Sequence, residues 1–265
     1  MTTALTVQRE HLRQHRRMII ARSIMASLAS AMPVPVLDDQ MSYILQRGIL
    51  RKIAAEYRID LNDDAYKTLI FGESDPPNLF RMAGGTLAYK LVSRYWRKFL
   101  VTYLTVKRAQ VASRYFARAT LFDHYCAKLH VGLGLDKDSA LAVRRVIDQA
   151  MDSTPGTLGT QIFRRGLLAA TRASVRAPVE VVQMVSGRIA QRLLKRPEGE
   201  EEVYPIEELD LALDKQLRAQ SGFLARVVTA IELQMSVEGN PYLDELVDTF
   251  ERLWRMPGRI GEPAL

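Results

Sequence analysis

A chain of 265 residues, 48% hydrophobic and 25% charged, has the make-up of one large globular domain or two small ones and enough apolar material for a core, which excludes wholesale disorder. Aromatics at 8%, with 15 glycines and 11 prolines, exclude a collagen-like or low-complexity chain. The net charge of +7 and a pI near 9.6 favour an anionic partner, and a single cysteine, Cys126, excludes a disulfide framework or a cysteine-based zinc site.

Leu5 to Ala31 has the pattern of one helix or two. The longest uncharged run, Ser23 to Leu37, holds 15 residues and two prolines, short of the roughly 20 apolar residues that a spanning helix needs. Arg16 and Arg17 ahead of an apolar stretch ending in Ala29-Ser30-Ala31 imitate a secretory signal, but Arg22 interrupts that stretch and the basic leader is long. The expected location is therefore cytoplasmic, with peripheral contact at the inner face of the membrane.

Pro33-Val34-Pro35 ends the first helical segment, and Asp38-Asp39 start the next. Met41, Ile44, Leu45, Ile49, Ile53 and Tyr57 follow at three- to four-residue spacing, an amphipathic helix. Asn62-Asp63-Asp64 caps a short helix through Leu69, and Ser74 to Asn78 is a turn or loop. From Thr86 to about Leu129 there is neither proline nor glycine, which predicts one very long helix or two stacked ones. Asp136 or Asp138 starts another, with Leu141, Val146, Ile147 and Ala150 inward, and Ser153-Thr154-Pro155-Gly156 breaks it. Helical pattern resumes near Gln161 and runs to Lys195, with Pro178 as a kink or boundary. After an acidic linker from Pro197 to Pro205, Ile206 to Val237 and Tyr242 to Arg255 are two final helices. No run of strand-like alternation and no long internal repeat is visible. The expected fold is all-α, a bundle of about eight helices, with a basic core domain over residues 1–196 and an acidic linker and C-terminal helical appendage over 197–265.

Charge is segregated along the chain. Residues 1–196 hold 31 Lys/Arg against 15 Asp/Glu, and residues 197–265 hold 6 against 15. The acidic part is expected to dock on the basic part, shield it, or stay clear of an anionic ligand bound there. Leu209, Leu213, Leu217, Leu224, Val228 and Ile231 need an apolar cover: the core, a second copy of the chain, or a partner.

Between Asp75 and Asp123 there is no acidic residue, while Arg81, Lys90, Arg94, Arg97, Lys98, Lys107, Arg108, Arg114 and Arg118 lie there. On a helix, Lys90, Arg94, Arg97, Lys98 and Arg108 fall within about 100° of arc, opposite Val92, Tyr95, Trp96, Phe99, Tyr103 and Val106. Such a basic amphipathic helix suits an anionic lipid surface or an acidic partner; the plainer reading is a core helix with a solvated basic face. Nucleic acid competes for the same charge, but the aromatics lie on the other side of the helix and no nucleic-acid-binding signature is present.

Catalytic patterns are weak. His11 and His15 share a helix face but lack a metalloprotease glutamate and a third ligand. Asp123-His124-Tyr125-Cys126 is dense in chemistry, yet neighbours on a helix point in different directions and form no triad among themselves. Cys126 reads as a small buried apolar residue. Gly132 to Ser139 has a P-loop flavour without the Gly-Lys-Ser/Thr ending or a feeding strand.

Ala21 to Gly72 carries a small-residue helix (Ala29, Ala31), a Pro-hydrophobic-Pro turn (Pro33, Pro35) and a hydrophobic-Asp step (Leu37, Asp38). An amphipathic helix with Gln46 follows, ending in Ile53, Ala54 and Tyr57, then Leu61. This resembles bacterial helical domains of unknown function often fused to or encoded beside GTPase domains, and more loosely the EcsC family; Phe116-Ala117-Arg118-Ala119 through Tyr125 is similar to that family's closing helix. The resemblance covers about half the chain and implies a membrane-associated helical module, with a GTPase as one partner, and no catalytic residues. Where relatives carry a Gly/Ala-rich apolar hairpin, Leu87 to Phe122 is full of Arg, Lys and aromatics, which favours surface contact over insertion. The expected function is a non-enzymatic scaffold or adaptor acting through Lys90, Arg94, Arg97, Lys98 and Arg108, with nucleic-acid binding as the alternative and no cofactor or metal implied.

Overall fold

From Ile19 to Ser27 nine successive residues are buried, the mark of a helix covered on every side. This is the second half of α1 (His11–Ala29), the central element of a computed structural model that describes residues 11–29, 37–74, 107–173, 215, 222–236 and 241–256. Around it are α2 (Leu37–Glu56), α3 (Asp63–Phe71), α4 (Lys107–Lys128), α5 (Lys137–Ser153), α6 (Gly156–Ala173), α7 (Phe223–Ser236) and α8 (Tyr242–Arg255). Lys90, Arg94, Arg97 and Lys98, the prolines at 33 and 35, and the acidic linker lie outside the described residues.

α1 and α4 run antiparallel over their whole length. At one end Ser27 Oγ donates to the Arg108 carbonyl at 2.8 Å and Arg108 Nη1 donates to the Ser27 carbonyl at 3.2 Å; at the other end His11 meets His124. α2 and α7 flank α1, α6 packs on α4 and α7, and α5 packs on α3, α4 and α8. The C-terminal helices thus complete the core: Leu224, Val227, Val228 and Ile231 of α7 and Tyr242, Leu246, Val247 and Phe250 of α8 are buried in it. On α8 acids occupy the first turn (Asp244, Glu245) and arginines the last (Arg252, Arg255), each opposing the helix dipole's partial charge.

Caps set the ends as the sequence suggests. Asn62 Oδ1 accepts from Ala65 N–H at 2.7 Å and Asp136 Oδ1 from Ser139 N–H at 2.9 Å, each satisfying a donor that the first helical turn leaves free. The structure adds to or corrects four readings. A parallel bridge joins β1 (Asp60–Leu61) to β2 (Gly134–Leu135), in register Asp60↔Gly134 and Leu61↔Leu135; two residues are too few to show alternation. The glycine-rich run around it makes a turn at Gly132 (φ 113°), this strand and the α5 cap. Leu141 is only half-buried, and Val143 and Arg144 are inward instead. The Arg144 guanidinium donates to the last carbonyls of α3, Leu69 and Ile70, and to Asp148 Oδ2 at 2.6 Å, so a cation sits inside because a helix C-terminus faces it.

The fourth correction is the start of α6, at Gly156 rather than near Gln161. Glycine is a weak helix former, but here it permits contact: a Cβ at Gly159 would lie 2.5 Å from Tyr242 Cζ, and one at Gly166 would run into Ile231. Among the described residues no helix is long and apolar enough to cross a membrane.

Candidate functional site

Arg108, the one residue of the expected basic arc within the described part, is half-buried and bound to the end of α1. The outward stripe of the same helix is Lys107, Gln110 and Arg114, all exposed. Arg118, one turn further, turns inward: its Nη2 donates to Asp148 Oδ1 at 3.4 Å, and burial, with the neighbouring Arg144 charge, lowers its pKa to about 10.

Polar side chains gather at the other end of α4. The chain has 4 histidines, and His11, His15, His124 and His130 all lie where the first turns of α1 meet the last turns of α4. His15 Nδ1 is 2.9 Å from Asp123 Oδ1, which is wholly buried. The hydrogen bond to Asp123 raises the His15 pKa against the opposing effect of burial, and the charges of Asp123 and Glu56 add to the rise. Tyr57, at the end of α2, lies beside Asp123; burial first, then that carboxylate, push its hydroxyl pKa well up. Burial and Asp123 likewise push the Cys126 thiol up, so it is held protonated rather than as a nucleophilic thiolate.

Beside this group, His11 Nε2 is 3.1 Å from His124 Nδ1, and His124 Nε2 is 3.0 Å from Glu251 Oε1 on α8. An ionised Glu251 only accepts, so His124 Nε2 carries a proton and its Nδ1 accepts from the His11 N–H. Tyr125 extends the cluster, with its hydroxyl 3.0 Å from His130 Nδ1 and its ring 5.1 Å from the Trp254 ring. Burial lowers the His130 pKa.

His11 and His15 thus engage different partners, and among the described residues no group of three or more His, Cys, Asp or Glu is placed to hold a metal ion. Asp123 and His124 point apart, as neighbours on a helix must, and each is met by a different turn of α1. The arrangement ties α1, α2, α4 and α8 together. Sequence spacing exposed the two halves of the cluster separately, and no signal in it showed that they meet.

A second feature is a cavity of about 530 Å³ between α4, the α5–α6 turn and the start of α8, lined by polar groups including Gln110, Ser113, Arg114, Asp152, Thr160 and Tyr242. Tyr242 is buried, which raises its pKa, and its hydroxyl is hydrogen-bonded to Ser113. On the opposite end of the fold Val131 and Leu133 project from the turn before β2 at 92% and 83% exposure. No family model matches the chain, and no curated protein or solved structure is similar to it.

Proposed function

We propose that the protein is a non-enzymatic adaptor that meets an anionic membrane surface, or an acidic protein partner, through the basic segment containing Lys90, Arg94, Arg97, Lys98 and Arg108. The observation that carries this reading is the acid-free block between Asp75 and Asp123 with its nine Lys/Arg residues. A face kept merely soluble mixes both signs of charge, whereas a block of one sign attracts an anionic surface. Within the described part of the block, Lys107 and Arg114 face solvent on one stripe of α4, which is in keeping with it. The resemblance of residues 21–72 to helical domains found beside GTPases suggests a GTPase as the protein partner.

The test is co-sedimentation with phosphatidylserine-containing vesicles. Each Lys/Arg near an anionic membrane contributes about 1 kcal/mol before screening. Replacing Lys90, Arg94, Arg97 and Lys98 by Gln should therefore weaken binding by about 4 kcal/mol at low salt. Unchanged vesicle binding by a folded quadruple variant would remove this surface from the proposal.

A further inference from the structure

The charge layout of the polar cavity selects a class of ligand. At about 530 Å³ it lies within the ~300–1,000 Å³ range of small-molecule sites. Arg114 on α4 and Asp152 near the end of α5 both line it and both face solvent. Nearby charges are committed elsewhere: Asp148 is held by Arg118 and Arg144, and Arg145 is bound to Glu73. Arg114 and Asp152 form no ion pair with each other or with any other described residue. Among the described residues, the cavity therefore presents Arg114 and Asp152 without an ion-pair partner, together with the amides of Gln110 and Gln161 and the Thr160 hydroxyl as neutral hydrogen-bonding groups. Tyr242 and Leu246 supply an apolar wall, and the Ser113–Tyr242 hydrogen bond fixes the tyrosine's hydroxyl.

A ligand with a single charge would pair with one of these groups and leave the other to water alone. A ligand with both charges satisfies the two together, and its carboxylate suits the planar fork of an arginine. We propose that this cavity binds a small zwitterion of the free α-amino acid class, with the carboxylate on Arg114 and the ammonium on Asp152. Its side chain then lies toward Tyr242 and Leu246. Arg114 also belongs to the acid-free block, whereas the residues assigned to the membrane contact are Lys90, Arg94, Arg97, Lys98 and Arg108.

The test is isothermal titration of the full-length chain with each of the common L-amino acids up to about 10 mM, weak binding being expected for so few contacts. At least one should bind. Its Nα-acetyl and α-amide derivatives, each lacking one charge, should bind at least about tenfold more weakly. The variants Arg114→Gln and Asp152→Asn should each lose about the same factor with unchanged circular dichroism, since neither side chain supports another described residue. Absence of binding by every amino acid at that concentration would overturn the proposal. So would equal binding of the parent and its blocked derivatives to the wild-type chain, a comparison that needs no variant to fold.

Discussion

Replacing Asp123 by alanine strips the clasp between α1, α2 and α4 of its buried carboxylate. Asp123 is 0% exposed and His15 is 9% exposed, so neither gains water in exchange. In the variant the His15 ring loses a 2.9 Å partner. Removing one member of a buried, hydrogen-bonded charge pair costs about 3–5 kcal/mol, a large share of the roughly 5–15 kcal/mol that holds a domain folded. Urea unfolding followed by far-UV circular dichroism should show the midpoint falling by that amount with an unchanged slope. His15→Leu alone should also be costly, because it leaves the Asp123 carboxylate buried without its imidazole partner. The double variant should be less destabilised than the sum of the singles, by about 2–3 kcal/mol, since two apolar groups leave nothing unpaired. A cost below about 1 kcal/mol for Asp123→Ala, or strict additivity of the two changes, would refute this account of the cluster.

The same pair predicts a pH dependence. Asp123 raises the His15 pKa above the ordinary imidazole value of 6.5, so the stability that the pair contributes is fully present below 6.5 and lost as pH rises through the higher folded-state pKa. The stability gap between wild type and Asp123→Asn should accordingly narrow across that window in urea titrations; His130, shifted the opposite way by burial, cancels in the difference. Gly166→Ala should destabilise by about 1–3 kcal/mol through overpacking, because the new methyl meets Ile231 and forces α6 from α7; a neutral result in thermal unfolding would contradict that contact. Cys126 should resist alkylation by iodoacetamide in the native state at mildly alkaline pH and react on unfolding, since it is buried and its thiol pKa is pushed up.

Local chemistry explains what was legible in the sequence. Asn62 and Asp136 announce helix starts because a short polar side chain before an apolar pattern has a single local use there, and Pro155 marks the break after α5 because it cannot continue a helix. Helical periodicity placed the inward face of α2 and, on α7, Leu224, Val228 and Ile231. Interactions between distant segments were not legible. Arg144 is inside because the α3 C-terminus faces it; on its own helix it reads as a surface cation. Arg22, at 1% exposure, reads as an interruption of an apolar stretch and is instead part of the central helix. The histidine cluster follows the same rule: His11 and His15 are one turn apart, Asp123 and His124 are adjacent, and their pairing exists only because α1 and α4 run antiparallel.

The proposed function turns on which polyanion the basic block prefers, and the most direct measurement is binding of the full-length chain to vesicles of increasing phosphatidylserine content across a salt series, with a DNA or RNA probe titrated in parallel. The adaptor reading predicts binding that rises with the anionic lipid fraction and weakens as salt screens it. Indifference to phosphatidylserine-rich vesicles, together with a shifted nucleic-acid probe at physiological salt, would contradict it and make the chain a nucleic-acid binder.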